Sequence, residues 1–128
     1  MIFKSSVIHG SKHGESIGYP TANLKINQTL RYCLKKFGVY AVRVSIRDRI
    51  YKGALFWGKR TLFSDKDPVC EVLIIDFDDT LYGEEVEVEV IKYIRDIVNV
   101  ENEQELKNLI QEDVQKIKLL FNNKNTSS

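Results

Sequence analysis

The sequence predicts a mainly β domain in which short antiparallel strands close into a small barrel packed on one C-terminal helix. Three features point there. Strand-type segments follow one another after Phe37 with connections too short for a helical crossover, so neighbours pair antiparallel. Val86-Glu-Val-Glu-Val90 alternates strictly, as a half-exposed strand does. Beyond Glu101 the period changes: Leu106, Ile110, Val114, Ile117 and Phe121, with Leu109 and Leu120 alongside, make one face of a helix of about five or six turns. Short strands with a single terminal helix suit a closed barrel.

In order, Ile2 to Ile8 is a short β-prone run leading into a glycine-rich loop, and a strand starts after Pro20. Phe37–Ile46 and Ile50–Trp57 are rich in β-branched and aromatic residues and read as a hairpin across Arg47-Asp48-Arg49. A polar loop runs from Gly58 to Pro68. Val69 to Phe77 is a long strand, apolar on both faces and therefore central. Asp78-Asp79 with Gly83 marks a turn. Glu101, Glu103 and Glu105 favour the start of the final helix, where the dipole prefers negative charge. The domain is expected over 1–121, with 122–128 a flexible polar tail.

At 128 residues the chain can bury a core without disulfides or structural metal. Nineteen basic against 18 acidic residues give a net charge of +1, which argues against a nucleic-acid footprint. Cys33 and Cys70 have neither zinc nor redox spacing and suit a reducing cytosol. No apolar run approaches membrane-spanning length, and Met1-Ile-Phe-Lys4 lacks the build of a signal peptide. The expectation is a cytoplasmic monomer with no nucleic-acid or membrane partner.

The stretch Gly10-Ser-Lys-His-Gly14-Glu-Ser-Ile-Gly18-Tyr-Pro-Thr-Ala-Asn23 holds three of the seven glycines and one of two prolines. Glycines four apart permit close backbone approach, and free N–H groups can cradle phosphate oxygens. Thr21 and Asn23, two apart in an extended segment, share a face, and their neutral oxygens suit Mg²⁺ completed by nucleotide and water. Taken alone, the stretch reads better as a surface turn before a strand than as a phosphate cradle. Glu71 lies on the strand face of Val69, Leu73, Ile75 and Phe77. A carboxylate there is either an ion-pair partner at the barrel mouth or a general base. His13 is a phosphate neighbour and His9 structural. Phe56, Trp57 and Phe63 either line an aromatic pocket or fill the core, and core is the reading for two of the three.

Asp76-Phe-Asp78-Asp-Thr80 after an apolar strand resembles the first motif of haloacid dehalogenase phosphatases, in which the first carboxylate is the nucleophile. Those enzymes need a parallel sheet and further motifs downstream, whereas one strand and one helix follow here. An acidic turn is the better reading.

Across nearly the whole chain the residues resemble the riboflavin kinase (flavokinase) family. The resemblance rests on Gly10-x-x-x-Gly14-x-x-x-Gly18-x-Pro-Thr-Ala-Asn23, then Gly38-Val-Tyr-Ala-Val-Arg-Val44, Glu71, Asp76-Phe-Asp78 and Leu81-Tyr-Gly83. It continues through Tyr93-Ile-Arg95 and the helix with Leu106, Ile110 and Asp113 in phase. It implies a six-stranded antiparallel Greek-key barrel with a C-terminal α-helix that transfers the γ-phosphate of ATP to the 5′-hydroxyl of riboflavin, giving FMN and ADP. It gives the nucleotide phosphates to a loop of Gly10, Lys12, His13, Gly14 and Gly18, and Mg²⁺ to Thr21 and Asn23. The proton of the ribityl hydroxyl goes to Glu71. Flavin contacts fall to Tyr82, Arg95 and Leu106, with Arg95 and the start of the helix as the flap.

The chain departs from the family on the flavin side. Phe56 stands where asparagine is usual, Thr61-Leu62 replaces Pro-Thr after Arg60, and Asp96-Ile-Val-Asn-Val100 replaces a charged run. A catalytically weakened flavin- or nucleotide-binding module on the same fold is therefore the alternative. The adenylyltransferase domain that precedes the kinase in many bacterial homologues is not among these residues, so either the protein is monofunctional or this is an isolated domain, and FAD synthesis is not expected from these residues.

Overall fold

A computed structural model describes residues 1–9 and 21–126. Six strands close into a barrel: β1 (Ile2–Ile8), β2 (Thr21–Leu24), β3 (Gly38–Ile46), β4 (Arg49–Gly58), β5 (Val69–Ile74) and β6 (Glu85–Arg95). Around the barrel the order is β1-β2-β5-β4-β3-β6, and β6 returns to pair with β1. Every pairing is antiparallel, and the jump from β2 to β5 past the β3–β4 hairpin gives the Greek-key connection. The six-stranded antiparallel barrel with one long C-terminal helix agrees with the sequence.

The hairpin turns on two residues, Arg47 (φ 48°) and Asp48 (φ 69°), and Arg49 already belongs to β4. Two left-handed residues in a two-residue loop match the twist of the flanking strands. Arg47 is fixed there by the segment 79–84. It donates to Asp79 at 2.6 Å, to Glu84 at 2.9 Å and to the Thr80 carbonyl at 3.0 Å.

Alternate residues of each strand fill the interior: Phe3 and Val7 from β1, Val42 and Val44 from β3, Leu55 and Trp57 from β4, Cys70 and Val72 from β5, Val86 and Val88 from β6. Trp57 is therefore core. Burial pushes the Cys70 thiol well above its usual range. A short helix absent from the sequence reading, α1 (Gln28–Cys33), adds Leu30 and, just beyond it, Leu34 to the same cluster. Asn27 caps it by accepting from the Leu30 N–H at 2.8 Å and donates to the Lys4 carbonyl at 2.9 Å, tying the helix to β1.

β5 is shorter than its apolar run implies. Asp76 adopts φ 61°, which breaks the alternation. Ile75 still faces outward with Leu73, whereas beyond the break Phe77 packs against the interior and stacks on Tyr51 at 5.1 Å. The exposed Asp76 lies on an antiparallel barrel, not on the parallel sheet that phosphatase chemistry would need.

The final helix, α2 (Glu103–Thr126), continues past the expected end at Phe121. Its cap is reciprocal: Asn102 accepts from the Glu105 N–H, and the Glu105 carboxylate accepts from the Glu101 N–H, both at 2.9 Å. The apolar face divides in two. Val114, Ile117, Leu120 and Phe121 pack with Ala41, Ala54, Leu73 and Ile75 on the outside of the barrel. Leu106, Leu109 and Ile110, nearer the N-terminus, border a cavity instead.

Candidate active site

On β2, Ala22 and Leu24 belong to the barrel interior, so the pleat turns Thr21 and Asn23 to its outer surface. Thr21 pairs in register with Leu73, and Asn23 lies directly opposite Glu71. Cys70 and Val72 take the inner positions of β5, so Glu71 emerges on the same outer face as Asn23. The sequence pattern thus brings a hydroxyl, a carboxamide and a carboxylate together across two strands. Thr21 Oγ1 donates to Glu71 Oε2 at 2.7 Å. The other carboxylate oxygen accepts from Arg60 Nη1. Glu71 is buried, and both readings offered by the sequence meet in it: it is ion-paired, and it lies at a cavity wall.

Two cavities flank this face. The first is a cleft of about 870 Å³, counting its open mouth. Its apolar walls come from Phe56, Leu62, Phe63, Leu73, Ile97, Val98, Val100, Leu106, Leu109 and Ile110, and its polar groups are Thr21, Arg60, Thr61, Glu71, Arg95 and Asp113. Such a shape, apolar with few convergent polar groups, suits a flat organic ligand. The segment 96–100 that forms one wall is held in several places. The Tyr93 hydroxyl donates its one proton to Asp96, with the Phe37 carbonyl 3.1 Å from the same oxygen, and Arg95 donates to the Asp96 carbonyl at 3.0 Å. Burial and the Asp96 carboxylate together push the Tyr93 hydroxyl up to about 12. Ile97 lies over Gly58, where its Cδ1 would stand 2.3 Å from an added Cβ and where φ is +148°.

The second cavity, about 860 Å³ on the same basis, is more polar. Val7, Ile8, His9, Asn23, Val72, Ile74 and the turn from Phe77 to Tyr82 surround it, and Thr21 borders it as well. His9 and Tyr82 stack with ring centroids 3.6 Å apart and planes 18° from parallel. Among the described residues only Thr21 lines both cavities.

Of the residues singled out from the sequence, Thr21, Asn23 and Glu71 are brought together. Arg95 and Leu106 both line the first cavity. Tyr82, grouped with them for the flavin, lies instead in the second cavity against His9, because the turn after β5 folds back toward the end of β1. The glycine loop (Gly10, Lys12, His13, Gly14, Gly18) and Pro20 lie outside the described residues. Arg60 and Asp65 had no signal of their own in a polar loop. Asp113 had one: it shares a helical face with Leu106, Ile110 and Ile117, and it proves to be buried and gripped by Arg95.

Among the described residues no group of three His, Cys, Asp or Glu is placed to hold a metal ion. The side-chain oxygens of Thr21 and Asn23 fit a hard cation such as Mg²⁺ that retains water and phosphate ligands. The stacked His9–Tyr82 pair and the oxygen-bearing strand together suit a nucleotide in the second cavity.

Comparison with known proteins identifies the family. The family model for riboflavin kinase (Flavokinase) matches residues 1–121. A bifunctional riboflavin kinase/FMN adenylyltransferase of Haemophilus influenzae is 37% identical over 117 residues, which cover 91% of this chain and 37% of the relative. The chain thus spans well under half the length of that protein. Among solved structures, a riboflavin kinase from Trypanosoma brucei superposes with a TM-score of 0.67 and 25% identity, covering 94% of this chain and 79% of that one. A chain described as a macrolide-efflux protein from Streptococcus pneumoniae does so with a TM-score of 0.75 and 30% identity, over 91% and 38% of the two chains. Matched along the barrel and most of its closing helix, this chain belongs to the riboflavin kinase family.

Proposed function

We propose that the protein is an ATP-dependent riboflavin 5′-phosphotransferase that produces FMN and ADP. The observation that carries this is Thr21, which borders both cavities and hydrogen-bonds Glu71 where they meet. A flavin ring in the apolar first cavity would bring its ribityl chain toward Glu71. A nucleotide in the second, its base at the His9–Tyr82 stack, would bring its phosphates toward Thr21 and Asn23.

In this reaction the 5′-hydroxyl oxygen bonds to the γ-phosphorus, the β,γ-bridging P–O bond breaks, and ADP leaves with that electron pair. Glu71 takes the hydroxyl proton. A carboxylate offers about four lone-pair sites, so bonds from Thr21 and Arg60 leave acceptor capacity. Thr21 and Asn23 would hold Mg²⁺, which when bound neutralises phosphate charge. Because phosphoryl transfer passes through a loose transition state, most of the acceleration comes from positioning and charge neutralisation. Arg95, Leu106 and the 96–100 segment cover the flavin side, and the family resemblance gives the nucleotide phosphates to Gly10, Lys12, His13, Gly14 and Gly18, which lie outside the described residues. Both cysteines are free, in keeping with a reducing cytoplasm. Among the described residues no helix is long and apolar enough to cross a membrane. We place the protein there as a monomer, since a closed barrel has no strand edge to recruit a second copy.

Incubation with riboflavin, ATP and Mg²⁺ should yield FMN, detected by chromatography, and removal of the metal with chelator should stop it. Glu71→Gln should lower kcat by about 10²–10⁴ while the KM for ATP stays near that of the parent. Flavin fluorescence quenching without FMN formation would favour the binding-module alternative. A Glu71→Gln variant as active as the parent would remove Glu71 as the base.

A further inference from the structure

Glu71 is gripped from two sides by its own chain, and the second grip has a structure of its own. Arg60 is no loose surface cation: its side chain is only 14% exposed, and its guanidinium lies 5.2 Å from the centre of the Phe63 ring. Nε and Nη2 fork onto Asp65 at 2.8 and 3.2 Å, and the Arg60 backbone N–H reaches the same carboxylate at 2.9 Å. The short 3₁₀ turn Thr61–Phe63 is enclosed by this closure. A guanidinium is a rigid plane with a fixed fan of N–H groups. With one edge pinned on Asp65, the direction of Nη1 is set, and Nη1 is the group that meets Glu71. Thr21 holds the opposite oxygen, so the plane of the carboxylate is fixed by donors from two separate parts of the barrel.

We infer that Arg60 is a positioning residue for phosphoryl transfer, aimed by Asp65 and acting through Glu71 rather than on the substrate. The inference rests on the assignment of Glu71 as general base. Its physical content is that a base must be held within hydrogen-bond reach of the proton it takes, and a displacement of about 1 Å costs roughly 10²-fold in rate. Arg60 also supplies the countercharge that a buried carboxylate requires. Three of its five side-chain N–H groups are committed to Asp65 and Glu71, so the contact that Arg60 makes at the site is with the carboxylate.

The test is a double-mutant cycle on FMN formation from riboflavin and Mg²⁺-ATP, using the parent, Glu71→Gln, Arg60→Met and the double variant. Thermal unfolding of each verifies that it is folded. Arg60→Met should lower kcat by about 10- to 100-fold and leave the KM for ATP within about twofold. In the Glu71→Gln background the same substitution should change kcat by less than about twofold, because a residue acting through Glu71 has nothing left to position. If Arg60→Met does not fold, Asp65→Asn takes its place in the cycle with the same expected non-additivity. Losses that multiply, or a raised KM for ATP at unchanged kcat, would overturn the role, since both mean that Arg60 acts independently of Glu71. A parent that forms no FMN overturns the kinase reading and this role together, whereas an active parent with multiplying losses overturns the role of Arg60 alone.

Discussion

Arg95 grips Asp113 through two parallel hydrogen bonds, 2.8 Å from Nε and 2.7 Å from Nη2. The arginine ends β6 and the aspartate lies in the middle of α2, so this pair ties the helix to the barrel beside the first cavity. Asp113 is only 3% exposed. Removing its partner strands a buried charge.

Arg95→Met should therefore destabilise the protein by about 3–5 kcal/mol, read as a lower urea midpoint. Replacing both partners, Arg95→Met with Asp113→Leu, should recover much of that loss, because neither charge is then left buried. A single variant within about 1 kcal/mol of the parent would mean that the apolar contacts of Ile117 and Phe121 hold the helix without help from the pair.

Three glycines outside the normal backbone region should rank in their tolerance of alanine. A Cβ on Gly38 (φ +152°) would lie 2.5 Å from the Arg95 carbonyl oxygen and 2.6 Å from the Tyr93 hydroxyl. The carbonyl is backbone and cannot move aside. On Gly58 (φ +148°) the nearest atom is Ile97 Cδ1 at 2.3 Å, the end of a flexible side chain, while Gly83 (φ +84°) has open space. Gly38→Ala should thus cost most and Gly83→Ala least, with backbone strain alone contributing about 1–3 kcal/mol. Gly58→Ala should additionally raise the KM for riboflavin, since Ile97 walls the first cavity. Thermal unfolding of the three variants checks the order.

The Arg47 cluster makes part of the stability pH-dependent. Hydrogen bonds from Arg47 lower both Asp79 and Glu84 below the usual carboxylate range. Each binds a proton less readily in the native state than in the unfolded chain. The stabilisation is present above the unfolded value near about 4 and is lost as pH falls through the native values. Arg47→Ala should accordingly be less stable than the parent at pH 7, and the gap should close in acid. The groups lie at the surface, so added salt should narrow the gap too. A gap unchanged between neutral and acid pH would dissociate Arg47 from these carboxylates.

Much of the fold is legible in the sequence because periodicity reports burial directly. Val86 to Val90 and Leu106 to Phe121 announce a strand and a helix, and short connections dictate antiparallel pairing. What escapes is set by single residues or by contacts distant in sequence. The six-residue α1 has too few turns for a period, and only Asn27 marks it. Asp76 ends β5 by one left-handed torsion inside an apolar run that otherwise continues to Phe77. Glu71 could be located on an apolar face, but its neighbours could not, since Arg60 reaches it from a loop and Thr21 from a strand fifty residues earlier. The displacement of Tyr82 to the second cavity has the same origin: a turn decides its direction, and turns carry no period.

Thr21 has a consequence for how the occupants of the two cavities affect each other's affinity. A side chain that borders two cavities makes their occupants thermodynamically dependent, for whatever reorients its hydroxyl in one alters the wall of the other. Linkage then requires reciprocity: the factor by which an occupant of the polar cavity changes affinity in the apolar one must equal the factor in the opposite direction. Replacing Thr21 by valine keeps the shape and removes the hydroxyl, so equilibrium titrations of that variant with each ligand, alone and with the other present, would measure how much of the cross-talk passes through a single oxygen atom.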